Sequence, residues 1–131
     1  MSDAQEGRDP GPPPEPPASR GPMDPTLMLG FAALLIVHAA IHVAVFLKAF
    51  QLVDLHRLAN PIARATGVGW LLVGGGFVVT ALVFLGGWGR WRLLAAAAVC
   101  ASQGLMLADF RDTGSGTLGN LLVVLALGVL R

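Results

Sequence analysis

The stretch VHAAIHVAVFLKAF, residues 37–50, decides how this chain is to be read. Apart from His38, His42 and Lys48, every residue in it is apolar, so an α-helix here shows hydrophobic side chains on all sides. It reads as lipid-soluble helix that carries two imidazoles one turn apart. The uncharged run around it extends for 23 residues between Asp24 and Lys48. Three more such runs follow: 25 residues between Arg64 and Arg90, 16 between Arg92 and Asp109, and 18 between Asp112 and Arg131. A bilayer span needs roughly 20 apolar residues, within a range of about 17 to 25. The first two runs meet that length. The third reaches it if Trp91 and Arg92 extend it into the headgroup region, and the fourth is borderline. The expected fold is therefore all-α: a four-helix transmembrane bundle over residues 26–131.

Composition agrees. Hydrophobic residues make up 54% of the 131 and charged ones only 13%, against about 25% charged in an ordinary soluble domain. A net charge of +1 and the lack of any basic stripe leave no electrostatic footprint for nucleic acid, and no nucleic-acid partner is expected. The single cysteine, Cys100, excludes an intrachain disulfide and reads as a small packing residue.

Residues 1–25 hold eight of the nine prolines together with Asp3, Glu6, Asp9, Glu15 and Asp24, a composition that predicts a disordered tail. The first span lacks the basic start of a secretory signal and is expected to be an uncleaved anchor. Its helix should begin at Pro25 or Thr26 and run on past Lys48 until Asn60 and Pro61 break it. Such a helix would be about 50 Å long, so its last turns must leave the membrane or bend along the surface. In the second span, Gly67, Gly69, Gly74, Gly75 and Gly76 would let a neighbouring helix approach closely. Gly86, Gly87 and Gly89 mark a tight turn, with Trp88 and Trp91 as interfacial anchors. Ser115 or Thr117 would cap the fourth helix. Basic residues divide five to four between the two sides; the Arg90, Arg92 and Arg131 group favours cytoplasmic termini.

His38 and His42 share one helix face near the middle of the first span, where ionisable groups are costly and normally turn toward the bundle interior. Three roles are open to them. As neutral rings they can hydrogen-bond to other helices, with Thr80, Ser102 and Gln103 as the mid-depth polar partners, at about 0.6 to 2 kcal/mol each. They can supply two ligands of a metal site, since histidines four apart can share one ion, although no carboxylate lies at that depth and about four ligands are needed. They can also relay protons, which would require acidic neighbours that the spans lack. His56, 18 residues from His38, lies five turns further along a continuous helix and cannot complete either site within one chain.

A second group gathers where the loops after the first and third spans must meet on one side: Asp54, His56, Arg57, Asn60, Arg64, Asp109, Arg111 and Asp112. These are either solvated flanking charges or a face for a partner protein or lipid headgroup. Arg64 with Asp109 or Asp112 is the expected ion pair, and Asn120 can join this group or cap a neighbouring helix.

The segments HAAIHVAVFLKAF, NPIARATGVGWLL and ADFRDTGSGTLGN together resemble the pattern of small bacterial four-span membrane proteins, some of which carry permease-like labels. The likeness runs from about Leu27 to the C-terminus. It implies an integral bundle of the bacterial inner membrane and carries over no catalytic residue. A fainter similarity of the first span to the DoxX-like four-helix group, some of whose members are accessory subunits of redox enzymes, likewise transfers no residue. The chain shows no nucleophile and base pair, no phosphate-binding glycine loop followed by lysine and no paired carboxylates at the interface, so no enzyme activity and no cofactor are expected. The expected function is that of a structural, accessory or interaction subunit held in the lipid bilayer beside other membrane-protein subunits. The competing expectation is a metal-ion or proton carrier or sensor built on His38 and His42.

Overall fold

A computed structural model describes residues 23–54, 61–108 and 116–130. Within them the chain forms four helices and no strand: α1 (Pro25–Ala49), α2 (Arg64–Leu85), α3 (Trp91–Ala108) and α4 (Gly116–Val129). The fold is an all-α four-helix bundle. Nearly all of the tail expected over residues 1–25 lies outside the described residues. So do His56, Arg57, Asn60, Asp109, Arg111, Asp112 and Ser115.

α1 starts where its chemistry dictates. Asp24 accepts a 2.7 Å hydrogen bond from the backbone N–H of Thr26, and Pro25 occupies a position whose missing donor costs nothing. Its end corrects the sequence reading. The helix stops at Ala49, not near Asn60, because Gln51 adopts a left-handed backbone with φ 58°. The N–H of Gln51 then reaches the Lys48 carbonyl and that of Leu52 reaches the Leu47 carbonyl, each at 2.9 Å, closing a Schellman motif. Glycine normally signals such a stop, and glutamine in its place hid it. The helix of 25 residues is about 37 Å long, enough to cross a hydrocarbon core about 30 Å thick.

α2 ends in the same motif with the expected residue: Gly87 has φ 70°, its N–H bonds Phe84 and that of Trp88 bonds Val83. α1, α2 and α3 are each long and apolar enough to cross a membrane. α4, with 14 residues, is shorter than the roughly 20 that a span requires. Thr117 lies inside this helix, where its hydroxyl serves Gln103 instead of capping.

Packing follows chain order. α1 lies most extensively on α2, α2 on α3, α3 on α4, and α4 closes lightly on α1. Glycines make the first contact close. A Cβ at Gly67 would overlap that of Ala49, and one at Gly74 would sit 3.1 Å from the His42 Cβ and 3.2 Å from the Ala39 carbonyl. Of the glycine group in α2, Gly75 faces open space.

The core divides into two apolar clusters. One gathers Phe31, Leu35, Phe77, Phe84, Trp91 and Val123, among others. In it Phe31, Phe84 and Trp91 meet edge-on with centroids 4.8 to 5.4 Å apart. Trp91 is thus a buried core residue, not the interfacial anchor expected; Trp88, 70% exposed, stays outside. The other cluster holds Val45, Ala49, Ile62, Trp70 and Met106. On the outside of the bundle, Leu72, Leu82, Leu93, Leu107 and Val129 are each more than 60% exposed, so large apolar side chains face outward on α2, α3 and α4. That pattern suits a lipid solvent and is costly in water.

Candidate functional site

Between the two apolar clusters lies a belt of polar side chains. His38, His42, Ser102 and Asn120 are all at most 3% exposed. Their positions follow from helix geometry: His38 and His42 share the α1 face turned to the bundle axis, Ser102 comes from α3 and Asn120 from α4.

Each imidazole is held on its faces by aromatic rings and on its edges by hydrogen bonds. Phe77 of α2 lies edge-on to His38 at a centroid distance of 4.7 Å and 5.3 Å from His42. Trp70, one residue-heptad earlier on the same helix face, lies 5.0 Å from His42. The indole Nε1 of Trp70 finds no hydrogen-bond partner among the described residues, so the ring contributes apolar area to the wall and no polar contact. The two imidazoles themselves meet edge-to-face at 4.8 Å.

The partners assign the tautomers. Nδ1 of His42 lies 2.9 Å from the His38 carbonyl oxygen, which can only accept, so Nδ1 carries the proton. Nε2 of neutral His42 then accepts from the Ser102 hydroxyl at 2.9 Å. Asn120 donates through Nδ2 to Oε1 of Gln103 at 3.0 Å and toward the Met106 sulfur at 3.6 Å, which turns its Oδ1 to His38. His38 therefore donates from Nε2 to that oxygen at 2.9 Å. Gln103 continues the chain by donating to the Thr117 hydroxyl at 3.3 Å. Three donors point one way, from His38 through Asn120 and Gln103 to Thr117, an arrangement in which each bond polarises the next.

Of the three mid-depth partners expected from sequence, Ser102 binds His42 directly and Gln103 reaches His38 through Asn120. Thr80 is the correction: its hydroxyl donates to the Gly76 carbonyl one turn back, as a β-hydroxy residue in an apolar helix readily does. Asn120 is a second correction, since it lies in the buried belt and not in the loop cluster. The sequence signal for it was present: it is the one amide in the fourth apolar run. Gly119, beside it, is what lets α4 approach, because a Cβ there would overlap Nδ1 and Cε1 of His38.

This geometry separates the roles open to the histidine pair. With the tautomers above, the unprotonated nitrogen of His38 is Nδ1, beside Gly119, and that of His42 is Nε2, against Ser102. The two lone pairs have different neighbours, and one is already used. Among the described residues, no group of three His, Cys, Asp or Glu side chains comes together. A proton moving from His38 to Thr117 would have to pass two carboxamides, which do not titrate near neutral pH.

Of the loop cluster, Asp54 lies near Lys48 of α1, with Oδ1 and Nζ 3.7 Å apart. The guanidinium of Arg64 lies 5.9 Å from the centre of the Phe50 ring. The expected partners Asp109 and Asp112 are outside the described residues. At the opposite end of the bundle, the Arg92 guanidinium donates to the Leu130 carbonyl and so ties the end of α4 to α3. No family model, no curated protein and no solved structure matches this chain.

Proposed function

We propose that this chain is a four-span integral protein of the bacterial inner membrane that acts as a structural or accessory subunit, with no catalytic chemistry of its own. One observation carries this reading: the mid-depth polar side chains hydrogen-bond one another across α1, α3 and α4, while large apolar side chains of all four helices are exposed on the outside of the bundle. Polar groups spent on joining helices are what a rigid bundle needs in lipid, where helix association depends on packing and interhelical hydrogen bonds. A carrier would instead need groups facing a path. Membrane residence is supported by the three helices long enough to cross, and a bacterial inner membrane by the likeness of the loops to small bacterial four-span proteins.

Affinity purification in mild detergent, followed by mass spectrometry, tests the subunit reading. Reproducible co-purification of another membrane protein is the expected result, and a chain that elutes alone refutes it. The competing metal reading is decided by elemental analysis: about one zinc, copper or iron per chain, lost when His38→Gln and His42→Gln are combined, would replace the subunit reading.

A further inference from the structure

Turned end for end, this bundle offers a bilayer nearly the same object. By chain order, Arg8, Arg20, Arg90, Arg92 and Arg131 belong to the end that holds the turn between α2 and α3. Lys48, Arg57, Arg64 and Arg111 belong to the end that holds the two longer loops. Arg131, counted at either end, leaves the nine cations split five to four, so the balance does not depend on whether α4 crosses. We propose that the chain enters the bilayer in both orientations, with the turn between α2 and α3 on the cytoplasmic face in some copies and on the outer face in others. This rests on the membrane residence proposed above and goes beyond it.

Orientation is set by an excess of lysine and arginine on one side, counted within about 15 to 20 residues of the span ends. Here the excess is missing span by span as well as in total. α1 has Arg8 and Arg20 before it and Lys48 and Arg57 after it; α2 has Arg57 and Arg64 at its start and Arg90 and Arg92 beyond its end. α3 has that arginine pair at its start and Arg111 after it, and α4 stands between Arg111 and Arg131. Successive spans therefore do not add up to one direction. Acidic residues contribute little to this bias, so Lys48 counts in full although Asp54 lies 3.7 Å from it.

Nothing in the interior or on the outside restores a direction. His38 lies within one residue of the midpoint of Pro25–Ala49, and Asn120 bonds it there, so the polar belt stays near mid-depth when the bundle is inverted. Side chains more than 60% exposed are apolar toward both ends: Leu72, Leu107 and Leu118 toward the loops, and Leu82, Leu93 and Val129 toward the turn. Trp88, exposed at the turn, suits either headgroup layer, since aromatic residues collect at both interfaces.

The test uses the full chain with Cys100→Ser and one new cysteine, either Gly89→Cys in the turn, where a Cβ meets open space, or Val53→Cys, 42% exposed beyond α1. Bacterial spheroplasts are labelled with a membrane-impermeant maleimide before and after permeabilisation. Resistance to alkaline extraction is checked first; a chain that is extracted refutes membrane residence and this proposal with it. Full labelling, or full protection, at both sites of the integrated chain refutes the crossing by α2 that separates them, and with it the proposal. The expected result is partial labelling at both sites in complementary fractions. One charge of bias shifts the populations about fivefold, so roughly one copy in six should expose Gly89→Cys and the others Val53→Cys. Arg90→Gln should raise the labelled share at Gly89→Cys, and Arg64→Gln should lower it, each by about fivefold in the ratio of the two orientations. A minor orientation below about one copy in thirty, the share that two charges of bias would leave, overturns the proposal while leaving membrane residence intact. So does a ratio that neither arginine substitution moves. The complementary labelling is read with all nine cations in place, so the outcome does not depend on a charge variant folding.

Discussion

Replacing Asn120 with Ala should loosen the fourth helix, and the size of the effect follows from the belt. The side chain accepts from His38 at 2.9 Å and donates to Gln103 at 3.0 Å, with a weaker contact to the Met106 sulfur at 3.6 Å. Interhelical hydrogen bonds in membrane proteins contribute about 0.6 kcal/mol on average and up to about 1.7 each, so the two strong ones together account for roughly 1 to 3 kcal/mol. The upper half of that range is expected, since His38 and Asn120 are 2% and 3% exposed and removing one leaves a buried N–H without an acceptor. Reversible unfolding in mixed micelles, titrated with a denaturing detergent, measures the loss. A double-mutant cycle with His38→Phe, which keeps a ring against Phe77, then isolates the pair. The cycle should return a coupling of about 0.6 to 1.7 kcal/mol. A coupling below about 0.3 kcal/mol, within the error of additive sites, would refute the claim that this bond holds α4 to α1.

Other substitutions probe the remaining contacts. Gly119→Val should cost about 1 to 3 kcal/mol by forcing α4 off the His38 ring, whereas Gly128→Ala, which meets open space, should stay within about 0.5 kcal/mol; the same unfolding assay separates them. Gly67→Ala should destabilise the α1 and α2 contact by a comparable amount because its Cβ overlaps that of Ala49, and Gly75→Ala should not. Gln51→Gly should stabilise the fold by up to about 1 kcal/mol, the cost of a left-handed conformation for a residue with a Cβ; a loss of stability would show that the glutamine side chain outweighs its backbone strain. His38→Gln and His42→Gln, taken singly, should keep the helical content seen by circular dichroism, because a carboxamide can still donate at each position.

Much of the architecture was legible in the letters. The two long uncharged runs predict α1 and α2, Pro25 fixes the start of the first helix, and the glycines around residue 87 fix the end of the second. The stop at Gln51 was not legible, because a Schellman motif depends on backbone dihedrals that glutamine seldom adopts and so seldom signals. The burial of Trp91 was hidden for a different reason. A tryptophan next to two arginines has the composition of an interfacial anchor, and only its meeting with Phe31 and Phe84 turns it inward.

The same boundary runs through the candidate site. By itself the sequence determined that His38 and His42 share one face at the middle of an apolar helix and that lipid can give them no hydrogen bonds, since periodicity and solvent chemistry are local properties. Which groups answer them was decided by tertiary structure alone: Ser102 and not Thr80 for His42, and Asn120, brought close by the missing Cβ of Gly119, for His38. Partner choice depends on how far four helices rotate and slide against one another, and those two variables are fixed by packing between segments that are distant in the chain.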